Sequence, residues 1–259
     1  MAQVDINCDM GESFGTYRIG ADERIIRYIS SANIACGFHA GDPVVMNRTV
    51  LLAATHGVEV GAHPGFPDLM GFGRRNLDCS LEEIRNYVIY QVGAALAFCR
   101  VHGVKLQHVK PHGSLYNMSV GNEEVARTMA EAVASVDSNL ILVTLAGRHG
   151  ELMTRIAART GIRIAMEAFP DRAYTPDGHL ASRRIPGAVI ENPEQVVERA
   201  VRMASEGCVI SLDGSSIPLR AHTLCVHGDN HGAVEMAAGI REALEAGGIA
   251  VVPMGKMSL

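Results

Sequence analysis

Six short β-branched runs in this 259-residue chain each end in ionisable side chains. Asp9 and Glu12 follow Val4–Cys8, and His39 and Asp42 follow Ser31–Ala35. His63 follows Val58–Ala62, and Lys110 and His112 follow Lys105–Val109. Glu167, Asp171 and Arg172 follow Ile162–Met166, and His227 and Asp229 follow Thr223–Val226. Carboxylates and imidazoles move protons near neutral pH. A lysine at a strand end binds an anion or, when desolvated, acts as a base. These properties make Asp9, His39, His63, Lys110, His227 and Asp229 catalytic candidates. Asn7, Glu12, His112, Asp171 and Arg172 are candidates for holding substrate, with Asp171–Arg172 read as an anion clamp rather than an internal ion pair.

Each candidate has a plainer competitor. His56, His102 and His149 sit near helix ends, where a cation complements the helix dipole, and are read as structural. Asp42 precedes a proline and reads first as a helix N-cap. No metal is assigned. An alternative makes Asp9, His39, His63 and His227 a zinc or manganese shell, without a local His-x-x-x-His motif to support it. No Gly-x-Ser-x-Gly elbow offers a nucleophile, and Cys8 and Cys36 are read as core thiols.

The elements that must position these groups are legible from punctuation. Gly57, Gly103, Gly161, Gly207 and Gly248 each fall between a helical stretch and a β-branched run, the place of a left-handed C-terminal residue. Asp42-Pro43, the capping box Ser80-Leu81-Glu82-Glu83, Asn122-Glu123, Asn192-Pro193 and Asp229-Asn230 open helices. Shorter helices are expected over Asp22–Ser30 and Gly150–Thr160. Nine strands are expected: the six above, Leu140–Leu145, Cys208–Leu212 and Ile249–Val252. Alternation of strand and helix means a parallel sheet. Neither Gly-x-Gly-x-x-Gly after a strand nor Gly-x-x-x-x-Gly-Lys-Ser/Thr occurs, which removes the signature of the two common nucleotide folds. The fold class is therefore α/β, an irregular TIM-like β/α barrel, as one domain over residues 1–259. In such a barrel the C-terminal strand ends share one face, and that face carries the site. Two long loops, Gly65–Asp78 and Glu167–Asn192, are expected above it.

Composition bounds the function. A formal net charge of −5 without basic runs argues against nucleic-acid binding. The six cysteines form no Cys-x-x-Cys pair and read as reduced thiols. Met1-Ala2-Gln3 leads straight into a strand, and no apolar run approaches a membrane span of roughly 20 residues. The expectation is a cytoplasmic protein with no membrane partner.

Longer stretches carry a resemblance. Asn7-Cys8-Asp9-Met10-Gly11-Glu12, Asn33 through Asp42, Gly61-Ala62-His63-Pro64, Val109 through Gly113 and Cys225 through Asp229 resemble the LamB/YcsF family, the A subunits of 5-oxoprolinase. Phe169 through Tyr174 and Asp177-Gly178-His179-Leu180 match its loop after the sixth strand. The likeness runs from Val4 to about Pro253 without departure at these motifs. It implies a barrel similar to glycoside hydrolases and polysaccharide deacetylases. It also implies opening of 5-oxo-L-proline to L-glutamate with ATP, together with Mg2+, as co-substrate, no tightly bound cofactor, and subunits B and C as partners. On that reading Asp9, His39 or His63 activates water, Lys110 and Arg172 hold anionic groups, and His227, steadied by Asp229, protonates the departing nitrogen. The ATP site is left unplaced. Two rivals stand beside it: a metal-dependent amide hydrolase or deacetylase acting alone, and a lactam-binding subunit without catalysis.

Overall fold

A computed structural model of the chain describes residues 2–228 and 232–259. Seven parallel strands close into a barrel: β1 (Gln3–Met10), β2 (Ser31–Ala35), β3 (Glu59–His63), β4 (Leu106–Val109), β5 (Ile141–Leu145), β6 (Arg163–Ala168) and β9 (Thr223–His227). Closure comes from β9, which pairs with β6 through Glu167 and Ala168 and with β1 from Asp5 to Asp9. A two-residue strand, β10 (Ala250–Val251), extends the sheet only at the start of β1. The expected strand Cys208–Leu212 is not a stave. It is shortened to β7 (Cys208–Ile210), antiparallel to β8 (Ser216–Pro218). The cause is local: Asp213-Gly214 turns the chain back at once, with Asp213 accepting from the Ser215 N–H.

The helix boundaries follow the capping residues. In α2 (Pro43–His56) Asp42 Oδ1 accepts from the N–H groups of Val44 and Val45 at 2.8 and 2.9 Å. In α3 (Leu81–Val101) Ser80 and Glu83 form the expected box. Gly57 and Gly161 take φ of 68° and 74° after α2 and α6 (Arg148–Thr160), so each helix stops where a strand begins. α5 (Glu123–Val136) and α7 (Pro193–Ser205) start on Asn122 and Asn192. The first helix, α1, is only Asp22–Ile25. One helix was not expected: α4 (Gly113–Gly121) has no side-chain cap to announce it. The last, α8, spans Ala233–Ala246, and its expected caps Asp229 and Asn230 lie outside the described residues.

The strands send their apolar side chains outward to the helices. Ile6, Cys8, Ile34, Val60, Val109, Leu224 and Val226 are buried in that outer layer. Much of the barrel interior is polar. Asp5 accepts from the hydroxyls of Ser30 and Ser31, both at 2.7 Å, and from Thr223. One layer up, Asn7 donates to Thr223 Oγ1 at 2.6 Å and Asn33 donates to Asn7 Oδ1 at 2.7 Å. The His108 ring reaches Asn33 Oδ1 at 2.7 Å because Gly61 leaves room: a Cβ there would lie 2.0 Å from the ring nitrogen. Ile141, Val143, Ala165 and Met254 form a small buried apolar cluster separate from the main core. No helix among the described residues is long and apolar enough to cross a membrane.

Burial outweighs the three hydroxyl donors at Asp5 and pushes its carboxyl up to about 6. A raised folded-state value makes the acid form the stable one, so this residue's contribution is complete below pH 4 and lost as pH rises through 6. The shift corresponds to about 3 kcal/mol at 1.36 kcal/mol per unit. Denaturant titrations of wild type and Asp5→Asn from pH 4 to 8 should show the variant gaining on wild type by roughly that amount. A difference that does not change with pH would contradict the assignment.

Candidate active site

The third interior layer is charged. Lys110 Nζ lies 2.9 Å from Asp9 Oδ1 and 2.9 Å from Glu167 Oε1. It also reaches Asn7 Oδ1 at 3.2 Å and Cys225 Sγ at 3.0 Å. Its side chain is only 3% exposed, and the backbone that aims it is fixed by the Lys110 N–H to the Ala62 carbonyl. Burial alone would raise the Asp9 carboxyl, but His63 and Lys110 hold it well below the usual range. Burial would lower the Lys110 ammonium, and Asp9, Cys225 and Glu167 instead hold it well above its ordinary value. An ammonium has three N–H groups, and Lys110 has neighbours for all of them. It is therefore a fixed internal cation, with Asp9 held charged beside it.

Three histidines adjoin this layer. His63 Nδ1 donates to the Lys110 carbonyl at 2.7 Å, and its Nε2 lies 3.3 Å from Asp9 Oδ2 and 3.0 Å from His112 Nδ1. His112 Nε2 donates to the Phe72 carbonyl at 2.9 Å. His39 stacks on His112, with ring centres 3.8 Å apart and planes 3° from parallel. Burial and the neighbouring histidines keep His39 and His112 well below the ordinary histidine range, so both rings are neutral at pH 7. Glu12 Oε1 lies 4.0 Å from His112 Nδ1.

Next to Asp9, in register with it on the paired strand β9, His227 Nδ1 is 2.6 Å from Asp171 Oδ2, and Phe169 stacks on the ring at 5.6 Å. Burial would raise the Asp171 carboxyl, but His227 lowers it below its ordinary value. An ionised Asp171 accepts from Nδ1–H, which leaves Nε2 as the proton-accepting nitrogen. His227, Asp9, His63, Lys110 and Phe169 line one cavity of about 660 Å³. Arg74, Arg172, Arg183 and Arg184 line it too, so its walls are cationic. Both long loops reach this cavity, as the barrel topology requires.

The structure thus brings Asn7, Asp9, Glu12, His39, His63, Lys110, His112, Asp171, Arg172 and His227 to one end of the barrel. Asp171, expected to hold substrate, lies against His227, and the expected His227 partner Asp229 lies outside the described residues. Two details differ from expectation. Arg172 spends Nε and Nη2 on the carbonyls of Ala188 and Ala181, at 3.3 and 2.6 Å, so it staples its loop and is not the free clamp expected. The suggested metal set is divided. His39 and His63 share ligand reach with Glu12 and His112, whereas Asp9 and His227 group with Cys225. Sequence reasoning also left Asn33, His108, Glu167 and Cys225 without roles. Their one signal is a polar or thiol group at an inward position of a stave. Asp42 is the N-cap it was read to be, and the six cysteines are unbridged.

Fold and site together define a parallel β/α barrel of the enzyme kind, with its ionisable groups gathered at the C-terminal strand ends. The family model for LamB/YcsF matches residues 4–259, and the chain belongs to that family. It is 58% identical to the A subunit of 5-oxoprolinase from Syntrophobacter fumaroxidans, over 98% of this chain and 99% of the relative. It is 54% identical to the A subunit of 5-oxoprolinase from Pyrococcus abyssi, over 97% and 98% of the two chains. The crystal structure of a lactam utilization protein from Thermus thermophilus superposes with a TM-score of 0.90 at 48% identity, covering 96% of this chain and 99% of that one.

Removing the internal cation strands two buried carboxyl groups, a change that costs about 3–5 kcal/mol. Lys110→Met should lose that much stability in denaturant titrations at pH 7. Without the ammonium, burial raises the Asp9 carboxyl, and the variant recovers as falling pH protonates it. The deficit of the variant should therefore shrink towards pH 4. A variant as stable as wild type at pH 7 would refute the internal-cation role.

Proposed function

We propose that this chain is the A subunit of an ATP-dependent 5-oxoprolinase, which opens the lactam of 5-oxo-L-proline to L-glutamate in a complex with subunits B and C. The lactam and the subunit organisation rest on the relatives, several of which are named as the A subunit of 5-oxoprolinase and match over nearly their full length. The observation from the cavity that carries the reading is the His227–Asp171 pair set beside the Lys110-held Asp9 in one cationic pocket. That arrangement supplies a proton-transfer group, fixed charge and anion-binding walls together.

A five-membered lactam is a resonance-stabilised amide and a poor electrophile. Transfer of the ATP γ-phosphoryl group to the lactam oxygen releases ADP and makes the carbonyl carbon reactive. A water then adds to that carbon, losing its proton to His227 Nε2, the nitrogen that Asp171 leaves unprotonated. The same proton is returned to the ring nitrogen as the C–N bond breaks, giving the γ-acyl phosphate of glutamate. A second water releases phosphate and L-glutamate. Asp9, held charged by Lys110, is too weak a base for the water and instead orients it or stabilises the cationic nitrogen. Arg74, Arg183 and Arg184 suit the substrate carboxylate and the phosphoryl group. ATP with its Mg2+ is assigned to the assembled complex and not to a particular loop of this chain.

The test is glutamate release from 5-oxo-L-proline and ATP by the chain combined with subunits B and C. His227→Gln and Asp9→Asn should each lower turnover by about 10²–10⁴-fold without loss of complex assembly. Unchanged rates in both variants would leave this chain with a presenting role only. Glutamate release by the chain alone, without ATP, would favour the stand-alone hydrolase.

A further inference from the structure

The three-histidine cluster places ring nitrogens beside a carboxylate that the proposed reaction does not use. His63 Nδ1 and His112 Nε2 each face a backbone carbonyl, at 2.7 and 2.9 Å. A carbonyl oxygen only accepts, so both of those nitrogens carry hydrogen. The remaining nitrogens, His63 Nε2 and His112 Nδ1, face each other at 3.0 Å. One proton or one metal cation fits between them, and the flanking carboxylates of Asp9 and Glu12 favour positive charge there.

We propose that His63 Nε2, His112 Nδ1 and Glu12 bind one divalent transition cation of the zinc class. Nitrogens 3.0 Å apart suit two ligands sharing an ion at bonds of about 2.1 Å. The ring planes stand 88° apart, so both in-plane lone pairs can point to a common centre. Each ring already donates its other N–H to a backbone carbonyl, the outer-shell bond by which metal-binding histidines are oriented. Glu12 Oε1 is 4.0 Å from His112 Nδ1, and Asp9 Oδ2 is 3.3 Å from His63 Nε2, so negative charge flanks the position.

His39 supplies an independent observation. It is wholly buried, and neither ring nitrogen has a hydrogen-bond partner among the described residues. Buried polar groups are rarely left so. Its ligand atom lies within 4.8 Å of those of Glu12, His63 and His112. Stacked flat on His112, it cannot aim at the same ion as it stands, but turning the ring breaks no hydrogen bond. The cluster is closely packed: a Cβ on Gly65 would lie 2.5 Å from His39 Nδ1, and one on Gly73 would lie 2.6 Å from His39 Cβ. This proposal does not depend on the lactam reading, and its readouts are binding and spectra, not turnover.

The purified full chain, stripped with a chelator, is equilibrated with Zn2+ or Co2+, desalted and measured for metal content. Wild type should retain one ion per chain, and the Co2+ form should show visible absorption from nitrogen coordination. His112→Ala and Glu12→Gln, each checked for native circular dichroism, should bind at least about 100-fold more weakly, since even outer-shell partners carry roughly 10–100-fold. Glu12→Gln preserves size and guards against misfolding of the histidine variant. Failure of wild type to retain either metal would overturn the proposal. So would equal retention by both variants, which assigns the metal to other histidines, or histidine NMR showing one proton shared between His63 and His112 in protein exposed to Zn2+.

Discussion

A lysine ammonium taken almost wholly out of water is the constraint around which this barrel is arranged. Such a charge costs several kcal/mol to desolvate and persists only where fixed acceptors surround it. Lys110 has Asp9 and Glu167 at 2.9 Å, with Asn7 and Cys225 completing its surroundings. Those groups come from β1, β6 and β9, so the ion cluster joins the strands whose pairing closes the barrel. Placing a charge here requires polar support beneath it. Asn33 donates to both Asn7 and Asp9, and His108 in turn holds Asn33. The layers of Asp5 and Asn7 form a hydrogen-bonded floor in place of the branched aliphatic layers that usually fill such a barrel.

The same charge divides labour among the groups above it. Because Lys110 and His63 keep Asp9 ionised at any physiological pH, Asp9 serves as a fixed negative charge and not as an exchangeable proton site. In the proposed reaction proton exchange is left to His227, which neighbours Asp9 on β9 and is oriented by Asp171. His39, His63 and His112 occupy the other side, where backbone carbonyls fix two of the three tautomers. One end of the barrel thereby gathers a fixed charge pair, the His227–Asp171 pair and an imidazole cluster.

Much of this was legible in the chain. The glycines after helices and the Asp, Ser and Asn caps before them place most helices within a residue or two, because caps act locally. The strand-end rule collected His39, His63, Lys110, His112 and His227 because barrel topology converts a sequence rule into a spatial one. What escaped depends on nonlocal geometry. Cys208–Leu212 has strand composition, but the Asp213-Gly214 turn folds it onto Ser216–Pro218 and removes it from the barrel. Asp171 and Arg172 are adjacent in sequence yet face different partners, His227 on one side and loop carbonyls on the other. Glu167 and Asn33 gain roles only from what stands opposite them. No periodicity reveals that Gly61 is small so that His108 can cross the barrel.

The central claim is that the lactam is opened against the adjoining Lys110-held Asp9 and Asp171-held His227. A crystal structure of the chain with 5-oxo-L-proline bound tests this most directly. The claim requires the lactam ring in the cavity that these two groups line side by side, its carbonyl carbon within water-bridging distance of His227 Nε2 and its carboxylate towards the arginines. A lactam ordered at another site, with the Asp9–His227 cavity filled only by solvent, would contradict it.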